Sequence, residues 1–180
     1  MKNNGNFLSI LVRYVLMLFP ILGGLWIIYS VFTPLTVYPV FFLLNLFFNV
    51  SLEGVKIYSS SFIVAIIESC VAGSAYYLLF ALNLSVPKIK ISKRIKMIIF
   101  AFTVFLIVNI LRIFILTSFL VAQSSIFDFS HKFFWYFLST VFVAGIWFLE
   151  VHIFKIKAIP FFSDAKFLFS QIKKQRRVKK

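Results

Sequence analysis

The feature that most constrains this chain is a series of apolar runs. The longest, Met97 to Val121, carries a single charge, Arg112. An apolar run of about 18 or more residues is long enough to cross the hydrocarbon core of a bilayer. Inside that core the backbone must satisfy its own hydrogen bonds, so such runs are helical. Hydrophobic residues make up 62% of the sequence, against about 45–50% in soluble domains. The expected fold is therefore an all-α integral membrane protein. It forms a single membrane domain over residues 1–180, with a bundle of about five transmembrane helices. The 26 Phe and 7 Tyr suit lipid-facing and interfacial positions.

The formal charge of +14 comes from 19 Lys and Arg against 5 Asp and Glu. It is concentrated in two blocks beside apolar spans: Lys88, Lys90, Lys93, Arg94 and Lys96, and a tail over 155–180 with nine Lys or Arg. Basic blocks in that position set topology and attract anionic lipid headgroups, which argues against nucleic acid as the partner. They place the 88–96 loop and the C-terminus in the cytoplasm. The segment "AKFLFSQIKK" within the tail has the pattern of an amphipathic surface helix. The loop at 122–131 and the segment at 51–67 then lie outside the cell membrane. Lys2 and Arg13 precede the first apolar stretch with no small-residue cleavage site after it, the pattern of a retained span.

The first span is expected over Val15 to Phe32, bent at Pro20 and Gly23-Gly24 and broken by Thr33-Pro34. A shorter apolar segment, Val37 to Val50, either crosses or re-enters, and the side of the N-terminus follows from which. The stretch "SLEGVKIYSSSFIVAII" is β-favouring on both sides of Ser59-Ser60-Ser61. It predicts a short extracytoplasmic β-hairpin, with a helix starting near Phe62 as the alternative. Span three runs from Ser69 to Val86, ended by Pro87, span four from Met97 to Val121, and span five from Phe133 to Phe154.

This topology brings chemically capable side chains to one side. Cys70, the only cysteine, stands at the outer end of span three. Arg112 lies roughly 13 Å below the outer end of span four at 1.5 Å per residue, and His131 stands at the outer entrance to span five. A charge in mid-span costs about 2.5–3.5 kcal/mol on insertion scales and usually faces a bundle interior or wet cavity. Asn109, three residues before Arg112 on the same face, could orient the guanidinium. Cys70 alone reads as a packing residue. Beside His131 and Arg112 it becomes a nucleophile, with His131 as acid and base and Arg112 as oxyanion or thiolate stabiliser. Glu68 could orient His131, pair with Arg112 or only mark the span end. Gly73, Ser74 and Ala75 form a small patch for close helix packing or for a substrate helix. Asn49-Val50-Ser51 and Asn83-Leu84-Ser85 match the glycosylation sequon. One cysteine excludes an internal disulfide or a cysteine-based metal cluster. Glu150 and His152, two apart, do not share a helix face, so no metal is expected, and no cofactor.

The motifs "ESCVAGS", with Cys70 and Gly73, "NILR", with Asn109 and Arg112, and "FSHKF", with His131, resemble the exosortase/archaeosortase family. The likeness covers about Val55 to Phe154, the expected catalytic core, and is greatest to compact archaeal members such as the pacearchaeosortases. Two features depart from the family. A hydroxyl residue and then glycine more often follow its cysteine directly, whereas Val71 and Ala72 intervene here before Gly73. The chain also lacks several N-terminal spans. The resemblance implies a sortase-like cysteine protease/transpeptidase. Its substrates would be secreted proteins ending in a short motif, a hydrophobic helix and a basic end. Cleavage at the outer face would pass the new carboxyl end to an acceptor, a lipid. The rival reading is a non-catalytic membrane scaffold or transporter subunit, in which Arg112 pairs with Glu68 and Cys70 only packs.

Overall fold

The computed structural model describes residues 10–18, 23, 25–87, 89–122, 133 and 139–156. Helical residues 10–18 (α1) precede α2, Trp26–Phe47. Three strands follow: β1, Val50–Glu53, β2, Lys56–Ser59, and β3, Ile63–Ala65. A single turn, α3 (Glu68–Val71), leads into α4 (Gly73–Ser85), then α5 (Ile91–Val121) and α6 (Ser139–Ile153).

Two of these helices, α2 and α5, are long and apolar enough to cross a membrane. The 13 residues of α4 are about 20 Å long, short of the roughly 30 Å hydrocarbon core; α6 is described from Ser139 onward. Along α5, Ile95, Ile99, Ile107, Leu111, Ile115 and Phe119 are exposed at multiples of four residues. Its buried stripe includes Asn109, Arg112 and Thr117. Apolar Met97, Ala101, Phe105, Ile110 and Ile113 share that stripe, so the helix is apolar on both faces over 97–121 and carries its one charge inward, as a membrane-spanning helix does.

The first two expected segments are divided differently. Thr33-Pro34 does not break the chain: α2 continues through Pro34 and Pro39. The interruption falls earlier, at Leu25, whose φ of 61° is left-handed. Proline is tolerated within an apolar helix when neighbouring helices hold it. Here Phe32, Val37, Val40 and Leu44 are all buried in the main core. Residues 37–47 thus belong to the same helix as 26–36, not to a second span. Tyr76, fully buried on α4, stacks on Phe32 at 3.8 Å between ring centroids and meets Phe102 and Phe105 edge-on.

The expected hairpin is present as β2 and β3, turning over Ser60 and Ser61, but it is part of a three-stranded antiparallel sheet in the order β1-β2-β3. The added strand alternates half-buried Val50 and Leu52 with exposed Ser51 and Glu53. Its loop to β2 is closed by the pair Glu53↔Lys56 and needs Gly54, whose φ is +62°. One sheet face packs on the helices through fully buried Ile57 and Ile66.

Helix α4 is tied to α5 at both ends. At its C-terminus, Arg94 donates from Nη1 to the carbonyls of Asn83 (2.6 Å) and Leu84 (2.8 Å), and from Nη2 to Val86 (2.8 Å). Arg13 of α1 adds longer contacts, 3.5 Å, to Leu84 and Ser85. These are the carbonyls a helix end leaves without intrahelical donors. Hydrogen bonds to charged groups contribute about 1.5–3 kcal/mol. Arg94→Ala is therefore expected to lower stability by about 3 kcal/mol in detergent unfolding. Arg94→Lys should recover only part of it, because one ammonium cannot span three carbonyls. An unchanged midpoint for Arg94→Ala would contradict this role.

Candidate functional site

The site forms where the sheet hands the chain to α4. Ile66 N–H still donates to Val55 at 2.9 Å, and Ile67 remains extended. Glu68 to Val71 make one helical turn, and Ala72 then adopts the left-handed region, φ 59° and ψ 48°. Span three, expected as one helix from Ser69, is therefore split two residues after Cys70. A left-handed non-glycine residue costs roughly 1–2 kcal/mol, so its surroundings must hold it there. Val71 is fully buried on one side. On the other, the ring of Tyr29 lies so close to Gly73 that a Cβ there would come within 2.7 Å of it. Gly73 thus serves close packing against α2. Ser74 and Ala75 line a cavity instead.

The break removes donors from two carbonyls. Ala75 N–H, which in a continuous helix would reach Val71, donates to Ala72 at 2.9 Å. Side chains of α5 supply the missing bonds. Asn109 Nδ2 donates to the carbonyl of Cys70 at 2.9 Å and more weakly to Val71 at 3.4 Å. Arg112 Nη2 reaches the same Cys70 carbonyl at 3.4 Å. Asn109 was expected to orient the guanidinium, and this is corrected: it grips the cysteine turn. The reason is the three-residue spacing, which aims both side chains at one neighbouring segment.

Cys70 is partly exposed, with Sγ 4.0 Å from the carbonyl oxygen of Ala65. Arg112 is 7% exposed and forms part of the wall of a cavity of about 650 Å³, with Tyr29, Ile67, Glu68, Ser69 and Ala72. Glu68 is exposed at this cavity. The structure thus brings Cys70, Asn109, Arg112, Glu68 and Gly73 into one neighbourhood. His131 lies outside the described residues, as do the loop before it and the basic tail from 157. Among the described residues, no group of three or more His, Cys, Asp or Glu is placed to hold a metal ion.

Two features escaped the sequence reading. The left-handed Ala72 left no trace, since alanine is the best helix former. A second polar pair was legible in principle: Asn83 interrupts an apolar run, which marks an inward-facing position. Its Nδ2 donates to Glu150 Oε2 at 3.0 Å, and both residues are fully buried. Glu150 is therefore a core residue of the α4–α6 contact, and the Asn83 sequon is inaccessible.

No family model, curated protein or solved structure matches the chain.

If Asn109 holds the cysteine turn by donating, its isostere should be worse than its deletion. Asn109→Ala leaves two carbonyls short of a donor, at a cost of about 1–3 kcal/mol. Asn109→Asp would set a carboxylate against them and should lower the unfolding midpoint further. Equal midpoints for the two variants would show that the amide donates nothing essential.

Proposed function

We propose that this chain is a membrane-embedded thiol acyltransferase acting on peptide bonds. Within that class we read it as an exosortase/archaeosortase-type transpeptidase for C-terminal sorting signals. One observation carries the reading. Asn109 and Arg112, 39 and 42 residues from Cys70 in sequence, both donate to its carbonyl, and Arg112, with Ser69 and Ala72 on either side of the cysteine turn, walls a cavity large enough for a peptide.

In this reading about five helices form the bundle. The basic stretch at 88–96, which includes the first turns of α5, and the tail face the cytoplasm, and the sheet and Cys70 face outward. The exposed apolar stripe of α5 and its inward-turned Asn109 and Arg112 favour such a setting. A secreted substrate lays its C-terminal hydrophobic helix in the membrane, with its basic end inside, and presents the preceding peptide at the outer rim. The Cys70 thiolate attacks the scissile carbonyl. The guanidinium of Arg112 and the positive end of α4 both favour negative charge at this turn. The carbonyl oxygen becomes an oxyanion, and the amine of the C-terminal fragment leaves after taking a proton. That proton falls to His131, which accepted it from the thiol. The resulting thioester is attacked by a nucleophilic group of the acceptor, a membrane lipid. A new bond forms to the substrate's carboxyl end and the thiol is released. No step calls for a cofactor.

The experiment is processing of a co-expressed secreted protein with a hydrophobic C-terminal helix and basic end. Cys70→Ala should abolish it. Full processing by that variant removes the thiol mechanism and favours the scaffold reading. Arg112→Lys should lose about 10²–10³-fold in rate, the usual cost of one oxyanion donor, because an ammonium lacks the planar donor fork. Near-normal turnover by Arg112→Lys would leave Arg112 a charge-placing role only.

A further inference from the structure

The strand that delivers the chain to Cys70 has a free edge, and that edge faces the thiol. Ser59 N–H donates to Phe62 and Ile66 N–H to Val55, each at 2.9 Å, with Ile57 opposite Val64 between them. Hydrogen-bonded pairs alternate along an antiparallel ladder. Phe62, Val64 and Ile66 therefore direct their backbone groups toward β2. Ile63 and Ala65 direct theirs to the opposite edge, where no strand pairs among the described residues. Cys70 Sγ donates to the outward carbonyl of Ala65 at 4.0 Å, a long thiol contact that the N–H of a pairing strand, at about 2.9 Å, would replace. Both apolar neighbours of Ala65 on its own sheet face, Ile63 and Ile67, are exposed, at 62% and 58%. The edge ends at Ile67 and Glu68, where the cavity walled by Arg112 begins.

Resting on the transpeptidase reading, we infer that β3 binds the substrate by β-strand addition: the peptide around the scissile bond pairs in extended form with Ile63 and Ala65. An unpaired edge is a liability that proteins normally cover or blunt, and peptide-binding domains use such an edge as a template. The occupant is a peptide backbone, because the groups on offer are the N–H and C=O of two alternate strand residues. A strand seated there runs into the thiol opposite Ala65, so the scissile carbonyl lies at that register and the preceding residue pairs with Ile63. Recognition then depends on backbone N–H groups at alternate positions of the substrate, and side-chain preference is left to the cavity.

The test needs no knowledge of the natural motif. A capped tetra-alanine chloromethyl ketone and iodoacetamide both alkylate a thiolate: a carbon–sulfur bond forms and halide leaves. The readout is the ratio of the two rates at Cys70, measured by intact mass on the full chain in detergent. The wild-type ratio should favour the peptide reagent at least tenfold over the ratio for free cysteine. Backbone N-methylation of the reagent at alternate residues should remove the advantage. Ala65→Pro should remove it too, since this residue's N–H is not used by β2 and proline is accommodated on a strand edge. Strand addition is overturned if the wild-type chain shows no such advantage, as when residues 123–138 or a second copy already fill the edge. It is equally overturned if N-methylated and plain reagents behave alike. Neither result touches the thiol mechanism, which fails separately if Cys70→Ala still processes substrate.

Discussion

The structure depends on one contact, the grip of Asn109 and Arg112 on the carbonyl of Cys70. A helix that began cleanly at Ser69 would satisfy that carbonyl internally and leave both side chains stranded in an apolar interior. The left-handed Ala72 opens the helix, and the opened carbonyl gives the buried donors an acceptor. Each half therefore supports the other. The strain at Ala72, roughly 1–2 kcal/mol, is offset by the Asn109 amide bonds, at about 0.5–1.5 kcal/mol each, and by the longer bond from charged Arg112. The break also sets Cys70 just ahead of the N-terminus of α4, next in sequence to Ser69 of the cavity wall.

Around this contact the polar groups are arranged in two layers on α4. One is the cysteine turn, held by Asn109 and Arg112. The other is the C-terminal end, held by Arg94 and by the buried Asn83–Glu150 pair. Asn109 and Arg94 are 15 residues apart on α5, about 22 Å. That is close to the length of α4 between the carbonyls they hold. Two fixed ends make α4 a stiff strut behind the cysteine turn. Between the layers the core is mainly apolar and aromatic, with Tyr76 fully buried among Phe32, Phe102 and Phe105.

Much of this was legible. The β-favouring runs on either side of Ser59–Ser61 become β2 and β3, Pro87 follows the end of α4, and Val121 ends α5, because these features rest on local chemistry. Arg112 and Asn109 were legible as an inward-facing pair from burial cost and spacing. What they hold was not, because it depends on a helix break that alanine does not announce. Pro34 misled for the opposite reason: its usual effect on a helix was overridden by packing against α4 and α5. Strand β1 straddles the end of the apolar segment at Val50 and the start of the β-favouring stretch at Ser51, where alternation over four residues is a weak signal. The free edge of β3 follows only from the register of the ladder, which composition does not encode.

The central claim is that Cys70 carries the substrate's carboxyl end as a thioester. Membranes from cells co-expressing the chain and a processed substrate can be quenched in acid and digested, and the peptide containing Cys70 weighed. The account predicts an acyl adduct on that peptide, equal in mass to the substrate's new C-terminal fragment and released by neutral hydroxylamine as the hydroxamate. A Cys70 peptide of unmodified mass, in membranes where substrate is being cleaved and quenching is shown to preserve thioesters, would contradict it.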